Sequence, residues 1–180
     1  MEGAASVIRT FDLQFVHGLF QTEAYARAVT LLGHTATPAE EIDRRVSVRM
    51  KRQSLLTAPD PPRVWAILDE AALRRPVGGR AVMRAQMNHL IEVAELPQVT
   101  LQVVPFGSGS HAAAGGAFTI LRFAQPALPD VVYIEQLTSA LYLDKREDLA
   151  HYMEVMNVLS TEALTPARSA RFLTALTRKI

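Results

Sequence analysis

Cysteine is absent from the 180 residues. This excludes disulfide staples, thiolate catalysis and cysteine-ligated zinc together, and it fits a reducing, cytoplasmic setting. No run approaches the roughly 18 apolar residues of a membrane span. The opening "MEGAASVIRTFD" lacks a basic start followed by an apolar core, so no signal peptide is expected. A basic excess is missing as well: Lys+Arg 19 against Asp+Glu 18 leaves a net charge of +1, which argues against direct nucleic-acid binding. Neither GxGxxG, GxxxxGK[ST], GxSxG nor HExxH occurs, so the familiar phosphate, hydrolase and zinc signatures supply no function. His17, His34, His89 and His151 show no paired spacing suited to a metal, and neither metal nor cofactor is expected.

What is present is a patterned globular chain. At "HGLFQTEAYARAVTLLGH", Thr22 is a candidate cap, Tyr25, Ala28, Val29 and Leu32 recur at helical spacing, and Gly33 supplies a stop. In "TPAEEIDRRVSVRMKRQSLLTAPDPP", Thr37 and Glu40 suggest a capping box and Ile42, Val46 and Met50 an apolar stripe. Residues 63–70, "RVWAILDE", are apolar on both parities, as a buried strand would be. A helix over "GRAVMRAQMNHLIEVAEL" and a strand over "QVTLQVVPF" complete a βαβ unit. "AFTILRFA", "DVVYIEQL" and "SALYLD" read as antiparallel meander strands, with a turn at "QPALPD". Two helices close the chain, the first with a capping box at Asp144 and Glu147 and the second opening on Thr165 and Pro166. The expected fold is a single mixed α/β domain: a helical part over 1–58, a four- to five-stranded mixed sheet over 63–143, and helices over 144–180.

The glycine-rich loop "PFGSGSHAAAGGAF" joins two strands, so it lacks the helix dipole of a phosphate site. Its eleven-residue connection, 106–116, is either a solvated loop or a gate over a pocket with His111 as polar contact. In "VVYIEQL", alternation puts Tyr133 and Glu135 on one face, where the carboxylate either pairs with an arginine or lines a cavity. Glu70 and Arg74 make an i,i+4 pair if their segment is helical. Arg45, Arg49 and Arg52 share a helix face, either solvated and salt-bridged or meeting an anionic ligand or partner. Trp65 is core or pocket lining.

The motifs "HGLFQTEAYARAV", "RMKRQSLL", "VWAILDEAALRRPVGG", "QVTLQVVPF", "GGAFTILRF" and "VVYIEQL" appear in order over about Val7 to Arg178. Together they resemble the domain of unknown function that follows an Xre-type helix-turn-helix in antitoxin-like bacterial transcriptional regulators. The resemblance implies a C-terminal sensing or interaction domain, encoded beside a small partner protein, with Gln21, Arg49, Arg52, Gln53, Glu70 and Glu135 as its recurring polar positions. About twenty residues precede Gln21, too few for a helix-turn-helix. The leading expectation is therefore a regulatory domain without its DNA-binding module, binding a small molecule or small partner protein through Gln21, Arg49, Arg52, Gln53, Trp65, Glu70, His111, Tyr133 and Glu135, and in one option forming a homodimer. The alternative is a stand-alone cyclase, isomerase or hydrolase of a biosynthetic pathway. Its cavity would be lined by Trp65, Tyr133 and Glu135, closed by the His111 loop, with Glu135, His111 and Tyr133 catalytic.

Overall fold

The computed structural model describes residues 1–33, 37–113, 115–125, 127–136 and 138–180. His34, and Ala114, Pro126 and Leu137 within the loop, turn and strand quoted above, lie outside them. Six strands form one sheet: β1 (Ala5–Asp12), β2 (Arg63–Asp69), β3 (Val99–Val104), β4 (Phe118–Phe123), β5 (Val131–Glu135) and β6 (Ala140–Leu143), in the order β3-β2-β1-β4-β5-β6. β1, β2 and β3 are parallel neighbours, and β4, β5 and β6 are an antiparallel meander attached to β1. The expected βαβ unit and meander are both present.

The expectation of a purely helical 1–58 needs correction, and with it the strand count. β1 lies inside the sheet, between β2 and β4. Its burial explains why: Ile8 and Phe11, of opposite parity, are both fully buried, so apolar layers cover both faces. Burying a side chain of that size contributes roughly 1.5–3 kcal/mol.

Helices α1 (Glu23–Gly33), α2 (Ala39–Arg52), α3 (Glu70–Arg74), α4 (Arg80–Val93), α5 (Arg146–Glu162) and α6 (Pro166–Thr177) complete the fold. One face of the sheet, through Ile8, Ala66, Leu101 and Leu121, packs with Tyr25 of α1, Met87 of α4 and Leu173 of α6. The opposite face, through Phe11, Ile67, Ile120 and Val132, packs with Met156 and Leu159 of α5. Ile42 and Val46 of α2 pack on Ala26 of α1, so α2 forms an outer layer. No helix among the described residues is long and apolar enough to cross a membrane.

Local signals fare unevenly. Thr22 accepts from Tyr25 N at 3.3 Å, and Thr165 caps α6 with Pro166 inside its first turn. The two expected capping boxes do not form: Pro38 and Lys145 occupy the N-cap positions, with no side-chain cap. The free edge of β3 is closed by the link between α5 and α6 and the first turn of α6, where Leu164 N donates to Val103 O and Ser169 Oγ accepts from Val103 N. β6 is the other edge, with Leu141 and Tyr142 exposed.

Candidate functional site

Parity and register set one row of polar side chains across the sheet, on the face that carries Ile8. Thr10 of β1 pairs with Thr119 of β4, which pairs with Tyr133 of β5, which pairs with Tyr142 of β6. Thr119 donates to Thr10 at 3.2 Å, and Thr10 donates to Asp12 Oδ2 at 2.8 Å. The Tyr133 and Tyr142 rings lie 5.2 Å apart at 48°. Two residues along their strands and on the same face stand Asp12 and Glu135. The sheet thus presents hydroxyls and a tyrosine pair, then two carboxyl groups.

A polar cluster lies within electrostatic reach of this row. After β1 the chain enters a 3-10 turn, Gly18–Phe20, and Gln21 follows it almost fully buried. Gln21 Nε2 donates to Val16 O at 2.6 Å, and its Oε1 accepts from Arg49 on the last turn of α2 at 3.2 Å. Gln53 Nε2 donates to Gln21 O at 2.6 Å and Gly18 O at 3.1 Å. Gln86 of α4, also buried, donates to Phe20 O at 2.6 Å and accepts from Thr22 N at 2.8 Å. Three amide side chains therefore hold the backbone from which Gln21 meets Arg49. Arg52 pairs with Glu2, whose other oxygen is 3.8 Å from His17 Nε2.

Three groups in this region are clearly shifted: Asp12, Arg49 and Tyr133. Burial holds the Asp12 carboxyl above the usual carboxylate range, against the opposing pull of His17 and the Thr10 hydrogen bond; Glu2 and Glu135 push it further up. Burial lowers the Arg49 guanidinium, and Arg52 adds to the effect while Glu135 opposes it. Tyr133 is raised, first by burial and then by Glu135. Glu135 is exposed, and among the described residues its side chain makes no hydrogen bond or ion pair.

Gln21, Arg49 and Gln53 are thus joined by hydrogen bonds, with Arg52 next to them in the chain; Tyr133 and Glu135 share a sheet face within electrostatic reach of the arginines, and Trp65, Glu70 and His111 lie elsewhere. Trp65 pairs with Arg9 in register, one residue out of step with Thr10, and so faces the opposite layer. There its Nε1 donates to Gln102 Oε1 at 2.7 Å and the Arg9 guanidinium lies 5.5 Å from its ring. His111 is on that same opposite side, edge-on to Phe11 and with Nε2 3.6 Å from Asp69. A chamber lined jointly by Trp65, Tyr133 and Glu135 under the His111 loop does not form, because the sheet separates them. The loop's length has a topological cause: it runs from β3 to β4, three strand spacings or roughly 14 Å away. Glu70 is buried, paired with Arg74 as expected, and also accepts from Phe106 N at 2.8 Å, pinning the loop's start.

Of the three arginines on one face of α2, Arg45 pairs with Glu41 and Arg52 with Glu2, whereas Arg49 meets the neutral Gln21. Two open hollows lie elsewhere. One of about 220 Å³ includes Leu73, Met83 and Leu176, and one of about 510 Å³ includes Pro105, Leu164 and Phe172. Among the described residues no group of three or more His, Asp or Glu is placed to hold a metal.

The chain matches, over residues 1–175, the family described as a domain of unknown function, DUF5753. It belongs to the DUF5753 family. Comparison with curated proteins and with solved structures gives no match. Every crevice residue of this DUF5753 chain lies inside the matched stretch. Asp12, Gln86 and Tyr142 are among the residues here that sequence reasoning missed. Tyr142 shares its parity with Ala140 in "SALYLD" and was readable. Gln86 was readable too, as a polar interruption beside Met83 and Met87 on the apolar stripe of α4. Asp12 had no local signal, because its strand was not recognised.

Proposed function

We propose that this DUF5753 chain is a ligand-binding regulatory domain, the sensor of a transcriptional regulator, and that its binding site is the crevice between the end of α2 and the β4–β6 face. The observation that supports the reading most is Arg49, a half-buried cation that meets the neutral Gln21 amide rather than a carboxylate. Arg49 is half-buried against an amide and Glu135 is exposed without a partner. Half-burying a cation without a counter-charge costs free energy that a close ion pair would offset. Leaving these charges apart suits a site that a ligand completes. The buried amides behind Arg49 add rigidity, which reduces the ordering cost of binding. The family resemblance to domains that accompany an Xre-type helix-turn-helix supports a regulatory output. In this reading the chain acts in the cytoplasm, on a small molecule, without contacting DNA through this crevice.

The test is a thermal-shift screen of cellular metabolites on the wild type and on Arg49→Gln and Glu135→Gln. A ligand at 100 times its dissociation constant should stabilise the fold by about 2.7 kcal/mol. Hits that vanish in both variants support the site. A screen whose hits are all indifferent to both substitutions, or that has none, refutes it.

A further inference from the structure

The two open hollows share helix α6. The hollow of about 510 Å³ sets Pro105, Leu164 and Phe172 beside Arg168 and Arg171. The hollow of about 220 Å³ sets Leu73, Met83 and Leu176 beside Arg74, Arg80 and Lys179. Arg168, Phe172 and Leu176 recur every fourth residue, so one face of α6 passes from the first hollow to the second. Off the helix, Arg74 joins them: it lines the second hollow, and its guanidinium lies 5.9 Å from the ring of Phe106, next in the chain to Pro105 of the first. That ring is 56% exposed. From Arg168 to Leu176 the helix rises roughly 12 Å, and Lys179 carries the face further.

The charge on this face is of one sign. Among the described residues no acidic side chain lines either hollow. Arg74 is matched by Glu70, and Arg80 donates to Ile180 O at 2.9 Å. Arg168 and Lys179 meet no carboxylate among the described residues, and Arg171 Nε donates to Ala167 O of its own helix at 3.3 Å. No Asp or Glu occurs from Ala163 to Ile180, although the whole chain is nearly balanced. The helix itself gains nothing from this arrangement. Arg168 stands in the first turn of α6, where the helix dipole disfavours a cation, and Arg171, three residues on, repels it.

The mixture of cations and apolar side chains decides between occupants. A nucleic acid would use the arginines and leave Phe106, Leu164 and Phe172 without apolar contact. A small anion would meet one or two of the cations. An amphipathic helix with acidic flanks meets both along its length, through apolar anchors at i, i+3, i+4 and i+7.

We propose that this face of α6, with the Pro105–Phe106 corner, docks an acidic amphipathic helix of a partner protein. The surface lies at the β3 edge of the sheet, whereas Tyr133 and Glu135 belong to β5 on the far side of β1. It is therefore a second site, independent of the ligand reading above.

Fluorescence anisotropy of the full chain tests this with a labelled synthetic peptide of about 14 residues, long enough to cover the face as a helix. The peptide is built of glutamate with leucine at i, i+3, i+4 and i+7. Its controls are the same composition in scrambled order, a version with lysine for glutamate, and a single-stranded oligothymidylate. The patterned acidic peptide should bind with a dissociation constant below roughly 100 µM, and the scrambled and lysine peptides at least roughly tenfold more weakly. Arg168→Glu combined with Arg171→Glu, both at exposed positions, should weaken binding at least roughly tenfold, and added salt should weaken it as well. Phe106→Ser should also weaken it, because apolar anchors share the contact. Arg63→Glu, exposed at the start of β2, should leave it unchanged. Circular dichroism checks that each variant folds.

The proposal is overturned if the patterned peptide does not bind, if the scrambled peptide binds as tightly, or if neither the arginine pair nor Phe106 alters binding. Oligothymidylate that binds as tightly and is lost with the arginine pair would make this a nucleic-acid surface and overturn it too. So would a dimer in sedimentation that the same variant dissolves, since a second copy would then be the occupant.

Discussion

Replacing Gln86 with methionine isolates the framework behind the crevice. Gln86 is fully buried, and its amide makes two short bonds to the backbone on either side of Gln21: Phe20 O at 2.6 Å and Thr22 N at 2.8 Å. Methionine matches the shape but neither donates nor accepts in this way, so one carbonyl and one N–H lose their partner. Each such orphan costs about 1–3 kcal/mol, while sparing the amide its own desolvation returns part of that. A net loss of roughly 2–4 kcal/mol is expected, against a total stability of about 5–15 kcal/mol. For a chain of this size that corresponds to a fall in Tm of roughly 5–15 °C. Urea unfolding followed by circular dichroism measures it, with the slope unchanged if the native state keeps its compactness. Gln98→Met is the comparison, since Gln98 makes a single bond, to Leu56 O at 2.6 Å; it should cost about 0.5–1.5 kcal/mol. The substitution also frees the turn that aims Gln21 at Arg49, so ligands of the crevice should bind Gln86→Met more weakly. A Tm within roughly 2 °C of wild type, or a loss no larger than that of Gln98→Met, would refute the reasoning that these amide bonds hold the crevice in place.

Three further outcomes follow from the same structure. Burial raises the Asp12 carboxyl above its ordinary 3.8, so the native state binds this proton more tightly than the unfolded chain does. Stability contributed by Asp12 therefore falls as pH rises from 3.8 to the native value and stays lost above it. Asp12→Asn should gain on wild type across that window, and urea titrations showing a constant difference from about pH 4 to 8 would contradict this. Glu41, partly exposed on α2, is lowered to about 2 by its hydrogen bonds to Arg44 and Arg45; a carbon-detected NMR titration should place its midpoint there, moving up toward 4.5 when Arg44 is replaced by alanine. Gly78 has φ +70°, and an added Cβ would come within 3.0 Å of Ala28 Cβ and Val82 Cγ1. Gly78→Ala should therefore cost about 1–3 kcal/mol in chemical denaturation, whereas Gly33→Ala, with nothing within 4 Å among the described residues, should stay within about 0.5 kcal/mol of wild type.

Which parts of this architecture are legible in the sequence depends on whether a signal is local or made between strands. The βαβ unit is legible because β2 and β3 are apolar on both parities and helix α4 carries its stripe within one stretch. β1 is not, because Arg9, Thr10 and Asp12 make it look like a polar leader. Those residues become compatible with an internal strand only across the sheet: Arg9 lies over Trp65, and Thr10 accepts from Thr119. The crevice follows the same division. The closeness of Arg49, Arg52 and Gln53 on one stretch of helix, and the shared parity of Tyr133 and Glu135, can be read from spacing. Their meeting depends on β1 standing between β2 and β4. The pairing of Trp65 with Tyr133 fails for the same reason. Trp65 is in register with Arg9, while Tyr133 is linked through Thr119 to Thr10. A strand turns successive side chains to opposite faces, so that single step along β1 sends the tryptophan, with Phe11 and His111, toward α5. It sends the tyrosine and Glu135 toward Arg49. A loop that looks like a lid therefore closes over the wrong side of the sheet, and the charges that define the candidate site are left open on the other.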